Sequence, residues 1–85
     1  MASYKLLIKR SASKELEELP LKARRRIATK VTALATDPRP PGAEKLSGQE
    51  KYRIRQGEYR VLYTIDDRAQ IVTVVKIGHR RDVYR

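Results

Sequence analysis

The sequence predicts an α+β fold, a helical hairpin laid across one face of a largely antiparallel sheet whose other face stays open. Three observations predict it. Apolar and basic residues alternate with a period of two through KYRIRQGEYRVLYTI, residues 51–65. Two successive stretches before it repeat at helical spacing, and the order along the chain is strand, helix, helix, strand, strand, strand. With 85 residues there is material for one domain, residues 1–85, with a single small core.

The elements follow in order. Residues 4–9 alternate Tyr4, Leu6, Ile8 against Lys5, Leu7, Lys9, which reads as a first strand beside the rest of the sheet. Ser11 is placed to cap a helix by accepting a first-turn amide. Ala12, Leu16 and Leu19 at i, i+4 and i+7 then form its inward stripe. Pro20 closes this helix and suits the opening of the next, where its missing N–H costs no hydrogen bond. Over residues 21–36, Ala23, Ile27, Val31, Leu34 and Ala35 face inward and Arg24, Arg25, Arg26 and Lys30 largely outward; that basic run reads as a solvated helix face or as a contact for RNA or an acidic partner. Residues 37–48, DPRPPGAEKLSG, hold three of the four prolines and two of the four glycines and read as a loop, with Leu46 plugging it onto the core.

In the following hairpin, placing both apolar sets on one face opposes Tyr52 with Tyr63 and Ile54 with Val61, and leaves a four-residue loop over residues 56–59. Arg55 then faces Arg60. Like charges opposed across a hairpin cost a few tenths to about 1 kcal/mol, so a fold that keeps them there calls for an anion between them. Residues 66–69 turn the chain into IVTVVKI, residues 71–77, apolar on both faces except Thr73 and Lys76, as suits a central strand covered on both sides. Gly78 releases a short basic tail, GHRRDVYR, which is either a loose end or a lip over the cationic face.

Net charge is +10, from 20 Lys and Arg against 10 Asp and Glu. This favours a polyanionic partner, most often nucleic acid. The absence of cysteine makes the chain indifferent to redox compartment, and no apolar run approaches the length of a membrane span or a secretory signal, so a cytoplasmic protein is expected. One histidine, no metal-ligand spacing, no phosphate-cradling glycine loop and no nucleophile elbow set aside many enzyme classes, and no cofactor is called for.

What remains is a cluster of arginines with a histidine and tyrosines. That set suits cleavage of RNA by its own 2′-hydroxyl, because the nucleophile belongs to the substrate. The protein need only orient the phosphate, stabilise its extra charge in the transition state and manage two protons. Arginine serves the first two, its fixed fork binding phosphate oxygens in pairs. Tyr84 and His79 are the candidates for proton transfer: guanidinium groups stabilise a phenolate, and imidazole titrates near neutrality. The same arginines would equally form a phosphate-binding surface without chemistry, Tyr84 an aromatic pinning the tail, and His79 a solvated side chain.

LSG at Leu46 to Gly48, YRIRQGEYRVLY at Tyr52 to Tyr63 and GHRRDVYR at Gly78 to Arg85 resemble the RelE toxins of bacterial and archaeal toxin–antitoxin pairs, within the wider RelE/ParE superfamily, and the resemblance runs nearly end to end. It implies a RelE-like fold and an endoribonuclease that enters the ribosomal A site, cuts mRNA there, and is held inactive by a RelB-like antitoxin. Operator DNA would be bound only through the toxin–antitoxin complex, and no membrane or cofactor is involved. By resemblance, Arg53 and Arg55 fill two basic positions of the first hairpin strand. Arg60 matches the arginine on the scissile phosphate. Arg80 matches one that stabilises the transition state or protonates the leaving group, and Tyr84 a tyrosine that stacks on the nucleotide and acts as base. Lys51, Arg81 and Arg85 are expected to bind substrate. This chain departs from the family in carrying arginine where the hairpin pair is often lysine, which weakens a general-base role there; His79 fills a slot open to other basic residues and shares the proton work. A ParE-like toxin would instead inhibit DNA gyrase by protein binding, without need of the clustered arginines or Tyr84, and a basic RNA-binding module would bind without cutting.

Overall fold

In the computed structural model, which describes residues 3–48 and 50–84, the chain runs β1 (Lys5–Ile8), α1 (Arg10–Glu17), α2 (Leu21–Ala33), β2 (Glu44–Lys45), β3 (Tyr52–Gln56), β4 (Tyr59–Asp66) and β5 (Ile71–His79). The strands make one sheet in the order β1-β5-β4-β3-β2. β1 pairs parallel with β5, and the other pairings are antiparallel. The expected α+β arrangement holds, with one strand more than the sequence suggested. Within the proline- and glycine-rich stretch, Glu44 pairs with Arg53 and Lys45 with Tyr52, and the Leu46 amide donates to the Lys51 carbonyl at 2.8 Å.

Both helices cover the same face. Ala12 of α1 and Ile27 and Val31 of α2, with Leu34 after it, pack on Ile54, Val61, Tyr63, Val72, Val74 and Ile77 of the sheet. Leu16 and Leu19 join the rim of this core, as their spacing predicted. Ser11 does not cap α1. The Lys9 amide still bonds the Val74 carbonyl at 2.9 Å while the Lys9 carbonyl accepts from Ser13 at 2.9 Å, so the strand passes directly into the helix and Ser11 is already inside it. Pro20 stands at the N-cap of α2.

The hairpin register is the expected one, Tyr52 opposite Tyr63, Ile54 opposite Val61 and Arg55 opposite Arg60. Its loop is shorter than expected. Gln56 still pairs with Tyr59, leaving only Gly57 and Glu58 to turn, and Gly57 takes φ +58°, as a tight turn that follows the strand twist requires. β5 is also corrected. Its pairing with β4 steps from Leu62–Lys76 to Tyr63–Val74, so Val75 is an extra, bulged residue. Val72 and Val74 therefore face the core before the bulge and Ile77 after it. The apolar run reflects this change of phase, not cover on both sides.

Where β5 runs beyond β1, the side chain of Glu15 takes over the missing partner: its Oε1 accepts from the Ile77 amide at 3.1 Å. Leu46 does not plug the loop onto the core. That task falls to Tyr63, fully buried, whose hydroxyl donates to the Pro38 carbonyl at 2.7 Å. Burial pushes the Tyr63 phenol up to about 12. A folded-state value above the unfolded one means that this contribution is complete below about pH 10 and is lost as pH rises through about 12. An ultraviolet titration should show Tyr63 ionising late, together with loss of the fold. Tyr63→Phe should remove that late step and cost about 1 to 3 kcal/mol in denaturant melts, because the buried carbonyl loses its donor.

Candidate active site and nucleic-acid interface

Because Ile54, Val61 and Tyr63 point into the core, strand alternation sends Arg53, Arg55, Arg60 and Leu62 to the opposite, helix-free face. Cross-strand pairing then sets Arg55 beside Arg60 and Arg60 beside Gly78, and Arg53 beside Leu62 and Leu62 beside Lys76. Gly78 leaves its place on that face without a side chain.

The tail forms a lip, the second of the two arrangements expected from sequence. The amides of Asp82 and Val83 return to the His79 carbonyl at 2.8 and 3.0 Å, and the Arg80 amide donates to the Glu58 carbonyl at 2.8 Å. The chain thereby turns back over the open face. Val83 is 2% exposed and Leu62 6%; both lie outside the main core and line one cavity, with Val83 over Gly78. Tyr84 follows with its ring half exposed, and its hydroxyl accepts a hydrogen bond from Arg53 Nη1 at 2.9 Å.

Each expected site residue can now be placed. Arg53 is largely buried; its other terminal nitrogen donates to Glu44, and its pKa is raised, first by the hydrogen bond to Tyr84 and also by the Glu44 charge. Arg55 is exposed, and its backbone carbonyl is held by Lys30 Nζ at 2.7 Å. Arg60 curls towards the turn, Nη1 donating to the carbonyls of Gly57 and Tyr59, both at 2.9 Å. Arg80 pairs through Nε with the Glu58 carboxylate at 3.1 Å. Lys51 lines the open face, and Arg81 is exposed to solvent. Arg85 lies outside the described residues.

His79 is not brought to the same side. It pairs in register with Tyr59, which packs on the core, so its ring lies on the helix side, edge-on to Tyr59 with centroids 6.0 Å apart. Its Nδ1 accepts from the Arg81 amide at 3.2 Å, which fixes Nε2 as the protonated nitrogen of the neutral ring; that atom lies 3.6 Å from Glu58 Oε2.

A cavity of about 320 Å³ opens on the sheet face beneath Tyr84, with Leu46, Leu62 and Val83 as apolar walls and Lys9, Lys51 and Lys76 as its cationic lining. Lys9 and Lys76 were not singled out from sequence. Lys76 did leave a signal, as the one charge inside an apolar strand, whereas Lys9 is one of many surface lysines until the fold brings β1 near. Glu44 and Glu58 were missed as well, because their importance lies in the arginines they hold. In sum, this face offers fixed cations, an aromatic ring and a shallow apolar floor, which suits a phosphodiester chain with a base stacked on the ring.

The family model for the ParE toxin of the type II toxin–antitoxin system parDE matches residues 6–84. The chain belongs to this family. It is a toxin of a type II toxin–antitoxin system within the RelE/ParE superfamily. Toxin RelG of Mycobacterium tuberculosis (strain ATCC 25618 / H37Rv) is 44% identical to it over 34 residues, a match spanning 40% of this chain and 39% of RelG, well under half of either. Among solved structures, the toxin superposes on the archaeal RelE–RelB complex from Pyrococcus horikoshii OT3 with a TM-score of 0.83 and 28% identity, over 95% of this chain and 99% of that one. The intact E. coli RelBE toxin–antitoxin complex gives 0.79 and 28%, over 91% and 96%. The toxin therefore has the RelE fold. Among its described residues no helix is long and apolar enough to cross a membrane.

Proposed function

We propose that this toxin is a ribosome-dependent endoribonuclease that cuts mRNA in the ribosomal A site through attack of a 2′-hydroxyl on the adjacent phosphate. The observation that carries the reading is the placement of Tyr84: the tail folds back so that its ring stands on the helix-free face, hydrogen-bonded to Arg53 and on the same face as the Arg55–Arg60 pair. A protein that only gripped an anion would need no aromatic fixed at that place. Arg55 and Arg60 hold the scissile phosphate, and their mutual repulsion is relieved when the anion enters. Arg80, at the root of the tail, stabilises the charge that builds on the phosphoryl oxygens and on the departing 5′-oxygen. Tyr84 stacks on the nucleotide and takes the proton from the 2′-oxygen. That oxygen bonds to phosphorus, the bond to the 5′-oxygen breaks as the 5′-oxygen takes a proton from solvent water beside Arg80, and the products are a 2′,3′-cyclic phosphate and a 5′-hydroxyl. Lys51, with Lys9 and Lys76, binds the neighbouring backbone, and Arg81 and Arg85 extend the contact. His79, on the other side of the sheet, acts as a support for the Glu58 end of the hairpin.

The ribosome is needed because the face is open. A shallow cavity on one side of a sheet holds RNA from one side only, so another body must press the strand into in-line geometry. The same surface suits a RelB-like antitoxin whose acidic and apolar residues cover the cations and the lip, with operator DNA bound through the complex and the whole system cytoplasmic. Complexes with RelB in the structurally similar toxins support that partner.

A programmed-ribosome assay tests the proposal. Expected is a cut in A-site mRNA and little or none in the same RNA free in solution. Intact mRNA alongside inhibited supercoiling by DNA gyrase would overturn it in favour of the ParE-like alternative. Tight RNA binding without a cut would leave a non-catalytic module.

A further inference from the structure

We propose that Glu44 and Arg53 are positioning residues that set Tyr84 for the reaction, Arg53 acting on the RNA through Tyr84 and not as a phosphate ligand. This deepens the ribonuclease reading and rests on it. Arg53 and Glu44 are direct cross-strand partners on β3 and β2. Arg53 Nη2 donates to the Glu44 carboxylate and Nη1 donates to the Tyr84 hydroxyl at 2.9 Å, while Nε is buried without a hydrogen-bond partner. Bidentate capture of a phosphate needs two neighbouring N–H groups turned to the same anion. Both terminal nitrogens of Arg53 already carry a contact and Nε is shut away from solvent, so the fork is committed to Glu44 and Tyr84. Its side chain is only 15% exposed, so it already lies in a medium where a charged hydrogen bond is stronger than at the surface.

The geometry also gives β2 a purpose. Two residues are a short strand for a stretch so rich in proline and glycine, and what they achieve is to hold the Glu44 carboxylate across from Arg53. Glu44 takes one end of the guanidinium and so aims the other at the tail. The Tyr84 oxygen receives that N–H, and the residue stays 49% exposed for a nucleotide. The carboxylate thus sets the aromatic from nine residues upstream of the arginine and across a sheet, through contacts no local pattern records.

The test pairs the free toxin with the ribosome assay. The tyrosines are labelled as 3-fluorotyrosine, the Tyr84 and Tyr63 fluorine resonances being assigned with Tyr84→Phe and Tyr63→Phe. Glu44→Ala is expected to shift the Tyr84 signal and leave that of buried Tyr63 in place. In single-turnover cleavage at saturating toxin, Glu44→Ala should lower the rate about ten- to a hundredfold, the loss typical of a misplaced reacting group. Apparent ribosome affinity should stay within about twofold, since the lost contact is not one with ground-state RNA. On a Tyr84→Ala background, Glu44→Ala and Arg53→Ala should each add nothing further. If Glu44→Ala does not fold, as the Tyr63 signal would reveal, Glu44→Gln keeps the shape, removes the charge and carries the same comparison. A Tyr84 signal unmoved by both Glu44 variants overturns the inference, as does an Arg53→Ala loss that is undiminished without Tyr84. Should the unmodified toxin leave A-site mRNA intact, the ribonuclease reading fails by itself, and the fluorine signal still decides whether Glu44 holds Tyr84.

Discussion

Replacing Arg60 by alanine is expected to reduce cleavage of A-site mRNA by about a hundredfold to a thousandfold, with Arg80→Ala comparable, the range seen when one donor to a developing oxyanion is removed. The reasoning for Arg60 is positional. It stands on the open face between Arg55 on β3 and Gly78 on β5, with Val83 of the lip lying over Gly78. Only Nη1 is used by the turn carbonyls. For Arg80 the reason is reach. Its backbone is tied to Glu58 at the hairpin tip, so the guanidinium starts from a fixed root and exchanges an exposed carboxylate for RNA phosphate. An exposed pair of this kind is worth little, so the exchange costs little. Both variants should fold as the parent does, since neither side chain enters the core. Single-turnover rates at saturating toxin make the measurement, and unchanged cleavage by both variants would remove the site from this face.

The second large effect is expected from Val83→Asp, a position that touches no substrate in the proposal. Val83 is almost fully buried, lines the cavity with Leu62 and lies over Gly78, and this placement seats the lip. A carboxylate there has to leave its apolar seat for water or for the lysines that line the same cavity. Tyr84, the next residue, goes with it. Cleavage should fall by about a hundredfold, as expected for a displaced catalytic group. The main core contains neither Val83 nor Leu62, so its cooperative melting should persist. Val83→Ile, which keeps the apolar contact, should retain most of the rate. A normal rate in Val83→Asp would mean that the tail functions without being seated.

A smaller test concerns Asp67, which accepts both ends of the Arg39 fork, at 2.9 and 3.2 Å, and the Tyr4 hydroxyl at 2.6 Å. The Arg39 hydrogen bond foremost, then that of Tyr4, lowers its carboxyl to about 2. A lowered folded-state value means that the tie between the first strand and the proline-rich loop is present above about pH 4 and is lost as pH falls through about 2. Carboxyl resonances followed by NMR should show Asp67 titrating last, and Arg39→Ala should raise it part of the way towards the ordinary range, the Tyr4 hydrogen bond remaining.

Much of this was legible without coordinates. The sheet register followed from Tyr52, Ile54, Val61 and Tyr63, because with a side-chain period of two any one-residue slip would turn one strand's pair away from the core. That same register fixed Arg55 against Arg60. The helix faces followed from Ala12, Ile27, Val31 and Leu34 for the equivalent reason at a period of 3.6. Local signals misled where a neighbour in space had taken over: Ser11 yielded to the bond that ties Lys9, just past β1, to Val74, and Leu46 to Tyr63 as the residue that secures the loop.

The hairpin that carries the arginines was thus determined by the sequence itself, together with the fold class, the inward stripes of both helices and the family to which the chain belongs. Periodicity and motif spacing are properties of neighbours along the chain. Only the tertiary structure decided which cations share a chemistry. The bulge at Val75 turned Lys76 to the open face, and the pairing with Tyr59 carried His79 to the other side. Glu44 closed on Arg53, and the tail came back over Leu62 to bring in Tyr84. Each of these depends on contacts between residues distant in sequence, whose partners exist only once the core has set the strands beside one another.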